Sequence, residues 1–230
     1  MNDTLFQALA LIIPLVIAIV FHEVAHGWVA RMLGDPTAAD LGRLTLNPVR
    51  HVDPIGTIVL PGMLALAKAP IFGWAKPVPV NKWRLRNPRF GMMAVAAAGP
   101  GSNLLLAAIG AVVLGLALRP YGDMAEVSGP MAFVLANLVN FLTINVFLAL
   151  FNLLPIPPFD GSHIVEGLLP ARAAEAYDRL RPLGFPLVIG LLIVVPWLVP
   201  GFNLVERYVL PPVQWATGHY FALAQAVSGH

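Results

Sequence analysis

The sequence contains no cysteine. Thiolate ligation, disulfides and thiol redox chemistry are excluded, so any metal centre must be assembled from histidine and carboxylate groups. Charge is also scarce, at 11% of residues against about 25% in a soluble domain. With 58% hydrophobic residues and a mean hydropathy of +0.76, the composition is that of a polytopic membrane protein whose first partner is the lipid bilayer. No lysine- or arginine-rich tract resembles a nucleic-acid patch, so no nucleic-acid partner is expected. The amino-terminal Met-Asn-Asp-Thr lacks a basic n-region, and no small-residue cleavage site follows the first apolar run, so that run is expected to be a retained span. Within these 230 residues no separate soluble domain is expected. One membrane domain over 1–230 is expected, with a core over about 4–170 and C-terminal helices over about 183–227.

What is present is a set of long uncharged runs. Thr4–Phe21, Phe90–Leu118 and Gly129–Phe159 carry no formal charge, and the first resumes beyond a short polar motif to about Leu33. Each run, so extended, exceeds the roughly 20 residues that cross a bilayer. Leu183–Leu204 is long enough but holds Pro186, Pro196 and Pro200, which fits a kinked span. Tyr208–Val227 fits either a poor fifth span or an interfacial helix. Ile55–Ala67 is apolar but only thirteen residues long, which suits a re-entrant or interfacial segment. Basic residues support this. Arg31, Arg43, Arg50, Lys68, Lys76, Lys82, Arg84, Arg86 and Arg89 all lie between the first two long runs, and all share one side only if Ile55–Ala67 does not cross. The positive-inside rule then makes residues 33–90 cytoplasmic and the N-terminus external.

The polar motif is Phe21-His22-Glu23-Val24-Ala25-His26. On a helix His22 and His26 stand one turn apart on a single face, the spacing that lets two imidazoles grip one zinc ion with Glu23 beside them as a base. Ionisable groups in a span are costly and usually functional. A catalytic zinc site needs a third protein ligand and an open position. His51 and His163 lie on the same side as the pair and stay possible. Asp160 is favoured, because alternation of the spans brings the end of the third run, Asn152-Leu153-Leu154-Pro155-Ile156-Pro157-Pro158-Phe159-Asp160-Gly161, to the same depth. There the prolines free backbone groups, tolerated in a membrane only around a protected polar site. Gly161 permits a tight turn after Asp160. The plainer alternative is an interfacial turn.

Together these residues resemble the site-2 protease family of intramembrane zinc metalloproteases. Three motifs match in order: HEVAH at 22–26, Gly-Pro-Gly-Ser-Asn at 99–103, and the stretch from Asn152 to Gly161. The segments 42–48 and 51–57 also look like the family, whose compact branch without a PDZ or CBS domain this chain is similar to. The resemblance implies an α-helical polytopic membrane protein of about four to six transmembrane helices, with a membrane-associated β-hairpin or re-entrant region between the first two. It implies one Zn²⁺ per chain on His22, His26 and Asp160, Glu23 as general base, and single-span membrane proteins as substrates. It places Asn152 near the zinc as a candidate for holding the scissile carbonyl or its oxyanion. It sets Asn103, after a Gly-Pro-Gly break in the second span, against the catalytic helices, where packing and a direct substrate role are both open.

Substrate must present extended backbone, because a helix hides its peptide carbonyls. In Trp74–Asn81, Pro77 and Pro79 alternate with Val78 and Val80. Proline of this kind belongs to edge strands or loops. As an edge, Val78 and Val80 could pair with a substrate strand. Water is expected to reach the site along a path lined by Thr143, Asn145 and Asn152. Two other functions fit parts of the pattern. A zinc or ion transporter would also carry intramembrane His and Asp, but no inverted repeat of the HEVAH span is present. An inactive membrane-protein-binding adaptor would have lost a ligand or the base, and none is lost.

The charge argument has a direct test. Arg50→Cys, Lys68→Cys and Asp123→Cys, introduced singly into this cysteine-free chain, should react with an impermeant thiol reagent, the first two from one side of the membrane and the third from the other. Labelling of Arg50→Cys and Lys68→Cys from opposite sides would mean that Ile55–Ala67 crosses.

Overall fold

The computed structural model describes residues 3–66, 73–121, 127–199 and 203–229. Helix dominates because the backbone groups of a long apolar run must be satisfied within the segment. The principal helices are α1 (Asp3–Met32), α2 (Pro88–Leu118), α3 (Gly129–Asn152), α4 (Asp160–Leu168), α5 (Ala171–Asp178) and α6 (Leu210–Ser228). Three are long and apolar enough to cross a membrane: Leu5–Met32, Pro88–Leu118 and Gly129–Asn152. The expected four to six are thus not reached by that criterion among the described residues. Of Leu183–Leu204, the stretch Gly184–Leu198 is continuously helical and wound more widely at Gly190–Val194, and residues 200–202 lie outside the described set. α6 is long enough at 19 residues but too polar, with Gln214, Thr217, His219 and Gln225.

Three local expectations are corrected. The Gly99-Pro100-Gly101 stretch is not a break, since α2 runs through it. Pro100 removes one helical donor, and flanking glycines add no side chain to crowd the ring. Asp160 does not end the third span. α3 stops at Asn152, a non-helical turn follows, and Asp160 is the first residue of α4, with Gly161 inside that helix. The expected β-hairpin is not formed among the described residues, which contain no strand. Residues 73–81 run extended with no ladder partner among the described residues, and residues 67–72 lie outside that set. The short apolar segment becomes a wide turn, Pro54–Val59, leading into a helix, Leu60–Leu66. Its start is capped by the Asp53 carboxylate, which accepts from Ile55 N–H and Gly56 N–H at 3.0 and 2.7 Å. At about 1.5 Å per residue this is too short for a hydrocarbon core of about 30 Å.

The chain forms two compact units. One comprises Met1–Ala18, Pro100–Leu153 and Val205–His230. Its helices approach closely through small residues: Ala10, Ala18, Ala107, Ala111, Ala149 and Ala224 are buried. Gly115 belongs to this seam, because a Cβ there would meet Ala224 O and Val227. Asn103 is fully buried and donates to Ala18 O at 3.2 Å and to Asn145 Oδ1 at 2.7 Å. Asn145 Nδ2 in turn donates to Phe141 O, and Asn145 is fully buried too, so its side chain ties helices together and does not line a water path. Asn140 donates to Ala10 O at 2.8 Å.

The second unit comprises Ile19–Gly99 and Leu154–Leu204. Ala30, Leu85 and Val95 form an apolar cluster backed by Val29, Leu33, Val80 and Met92. Gly34, at φ 108°, turns the chain out of α1, a conformation that favours glycine.

The asparagine pair gives a stability prediction. Asn103→Ala leaves Asn145 Oδ1 without this donor and should lower resistance to unfolding in detergent by about 1 kcal/mol. An unchanged unfolding curve would show that the pair contributes nothing.

Candidate metal centre

The i, i+4 spacing in α1 sets the His22 and His26 rings side by side, with centroids 4.6 Å apart and planes at 87°. Their Nε2 atoms lie 3.0 Å apart. Asp160, opening α4, brings Oδ2 to 3.1 Å from His22 Nε2 and 3.4 Å from His26 Nε2. Both imidazoles are buried, and Oδ2 is a buried oxygen without a properly aligned hydrogen-bond donor. Three lone-pair atoms thus form a small triangle. A shared proton can satisfy only one edge of it, whereas a cation can satisfy all three corners. Bond lengths of about 2.0–2.2 Å in a tetrahedral zinc site imply ligand–ligand edges of about 3.3–3.5 Å, near the distances found. The donor set fits a zinc ion.

The surroundings hold that triangle. His26 Nδ1 lies 2.7 Å from Val95 O, and since a carbonyl only accepts, Nδ1 carries the proton and Nε2 keeps its lone pair. Gly99, one helical turn after Val95 on α2, meets the rings directly: a Cβ there would overlap His26 Nε2 and Cε1 and His22 Cε1. Glu23 lies beside the pair in sequence, and its Oε2 accepts from Val78 N–H at 2.7 Å. That donor, expected to face a substrate strand, is instead spent on Glu23. Val80 lies partly buried against the apolar cluster of its unit.

The other histidines go elsewhere. His51 is buried and its Nε2 donates to Thr45 O at 2.8 Å. His163 faces Arg181, whose Nη1 lies 2.8 Å from His163 Nε2. A guanidinium has no acceptor, so Nε2 must be the unprotonated nitrogen. Arg181 also pairs with Glu166 and with Asp178. Burial first, and the neighbouring Arg181 charge second, push His163 down to about 4. Among the described residues the one grouping of three candidate metal ligands is His22, His26 and Asp160. Asn103 and Asn152 belong to the other unit, where Asn152 Nδ2 donates to Leu148 O within its own helix at 2.9 Å.

Some contributors carried no residue-type signal. Val95 acts through its carbonyl, which any residue supplies. Asp35 had a readable one in Gly34-Asp35-Pro36-Thr37, an Asx turn by composition. Its carboxylate accepts from the Thr37 hydroxyl and from the Thr37 and Asn81 amides. Those bonds outweigh burial and hold it below the usual carboxylate range.

Comparison with known proteins follows this geometry. The model of peptidase family M50 matches residues 116–195, a span that includes Asp160 but not the histidine pair. YwhC of Bacillus subtilis, which carries the name of a zinc metalloprotease, is 41% identical over 81% of this chain and 80% of its own length. Rip2 of Mycolicibacterium smegmatis, similarly named, is 31% identical over 84% of this chain and 67% of its own. A Methanocaldococcus jannaschii protein of the same designation is 30% identical over 70% of this chain and 73% of its own. No solved structure matches the chain.

The His163 cluster sets a pH dependence. The folded histidine takes its proton near pH 4 and an ordinary one near 6.5, so on acidification the unfolded chain binds the proton first. The associated stability is whole above pH 6.5 and is lost as pH falls toward 4, by about 3 kcal/mol at most. Unfolding midpoints of wild type and His163→Gln between pH 7 and 4 should converge on acidification. Parallel curves would contradict this.

Proposed function

Because the chain belongs to peptidase family M50, we propose that it is a zinc-dependent intramembrane endopeptidase that hydrolyses peptide bonds in or near the transmembrane segments of single-span membrane proteins. The observation that carries this reading is the convergence of His22 and His26 from α1 with Asp160 from the start of α4, within 3.4 Å of one another. The zinc metalloprotease names of the relatives agree with the donor set.

When bound, zinc supplies a Lewis acid that lowers the pKa of water to about 7 and polarises the scissile carbonyl. Two neutral imidazoles and one carboxylate leave a net positive centre, which favours the anionic tetrahedral arrangement of peptide hydrolysis. Val95 O keeps His26 in the tautomer that offers Nε2. Glu23 takes the proton of the attacking water and returns it to the leaving amine. Gly99 leaves the rings room to meet. The protein is a multi-pass protein of the cell membrane, with the N-terminus outside and the site toward the cytoplasm. The basic residues between the first and second long runs support that orientation.

Zinc analysis and cleavage of a single-span substrate, run together on four variants, test the reading. Glu23→Gln should retain zinc and lose at least about 10²-fold in rate. Asp160→Ala should lose both zinc and activity. His51→Ala and His163→Ala should keep the metal. Near-normal cleavage by Glu23→Gln would remove the base, and loss of zinc in His163→Ala but not in Asp160→Ala would replace the third ligand. Zinc flux into vesicles without any cleavage would make the protein a transporter.

A further inference from the structure

We propose that the extended segment 73–81 is a strap that positions the general base: Val78 N–H holds one carboxylate oxygen of Glu23 and leaves the other for proton transfer. This deepens the reading of Glu23 as base and rests on it. Glutamate has three side-chain torsions, and on a helix surface nothing local selects one rotamer. The bond from Val78 N–H to Glu23 Oε2, at 2.7 Å, selects one, and it is a charge-assisted bond.

The strap is built so that this amide sits still. In extended backbone, alternate residues point their N–H and C=O groups to opposite edges. Trp74, Lys76 and Val78 share one edge, and every one is engaged. Trp74 N–H donates to Gly56 O at 3.1 Å, and Trp74 O accepts from Thr57 Oγ1 at 2.9 Å. Lys76 N–H donates to His51 O at 2.8 Å, and Lys76 O accepts from Arg43 Nη2 at 2.8 Å. Pro77 and Pro79 occupy the opposite edge, where no donor is required. Each proline also confines the residue before it to extended conformations. Those residues are Lys76 and Val78, the two donors nearest the base. Beyond them, Asn81 N–H is fixed by the buried Asp35 carboxylate at 2.6 Å.

Close approach of strap and helix is also provided for. Gly27 stands one turn after Glu23 on the same face of α1. A Cβ at Gly27 would overlap Leu44 and lie 2.8 Å from Val78 Cγ1. The side chain of Val78 is itself buried, at 7% exposure. Substrate pairing through the Val78 amide would require this bond to Glu23 to break, which is why positioning, rather than substrate capture, is assigned to it.

The test uses the full-length protein in detergent, with Val78 replaced by its α-hydroxy acid so that an ester removes the N–H and keeps the side chain. Zinc content, kcat and KM on a single-span substrate are measured beside Val78→Ala, which keeps the N–H, and Glu23→Gln. The ester should lower kcat about 10-fold, the equivalent of one such bond, with KM and zinc unchanged. Val78→Ala, which keeps the N–H and loses buried side-chain packing, should lower kcat by less than the ester does. Arg43→Met, which frees Lys76 O, should lower kcat in the same direction by less, and it carries the test if the ester protein does not fold. An ester protein with wild-type kcat beside an inactive Glu23→Gln would overturn the strap and leave the base intact. A kcat above wild type would mean that the strap masks the base, and a rise in KM alone that it binds substrate. An active Glu23→Gln would overturn both readings together.

Discussion

Three ligand-type atoms, His22 Nε2, His26 Nε2 and Asp160 Oδ2, are held within 3.4 Å of one another in a largely apolar chain. His22, His26 and Asp160 come from two helices distant in sequence, and their buried tips face one another rather than solvent. A small cation relieves this arrangement, and the rest of the second unit is shaped to maintain it. The cost of carrying such groups in an apolar chain is met by zinc affinity in the proposed enzyme. In that view the metal is a structural partner as well as a reagent, since removing it leaves the three donors opposed.

Holding the donors together demands small residues at fixed points. Gly99 admits the imidazole rings, and Gly27 admits Leu44 and Val78. Neither glycine requires positive φ, so their role is space and not conformation. The same logic operates in the other unit without any chemistry. There alanines and Gly115 allow helices to close, and Asn103 with Asn145 supplies a buried polar tie. In a bilayer, helices gain little from apolar burial against one another, so close fit and satisfied polar groups carry association.

What could be read in the sequence follows from the range of each signal. The histidine pair was legible because helical period is local: four residues fix one face. Asp160 was reachable through the ends of uncharged runs, but its setting was not. The run continues unbroken in charge from Gly129 to Phe159, while the helix stops at Asn152 and a new one begins at Asp160. Hydropathy sees no such change. The Gly-Pro-Gly stretch erred the other way, since residues that usually interrupt a helix are carried inside α2. The alternation of Pro77 and Pro79 did report extended backbone, yet a β-hairpin was inferred where the described residues show a strap without a strand partner. Val95 was invisible because it works through an atom common to every residue. Zinc came from the spacing of His22, Glu23 and His26, and the class of substrate from the resemblance.

The base of such an enzyme has two requirements that conflict. It must be held to one orientation, and it must keep an oxygen free to receive a proton. An arginine or lysine partner would meet the first but hold the carboxylate in its charged form and blunt its basicity. A main-chain N–H brings no net charge, offers a single donor and cannot take the second oxygen. It is also immobile to the degree that its own segment is anchored. The anchors here are Gly56 O, Thr57, His51 O, Arg43 and Asp35, none of which approaches the metal ligands in sequence. Orientation of the proposed base is thereby delegated to a polar lattice between the first two long helices. The same region carries seven of the fourteen basic residues of the chain. Its hydrophilic character, read from the sequence as a marker of membrane side, thus has a second physical use in fixing a single amide.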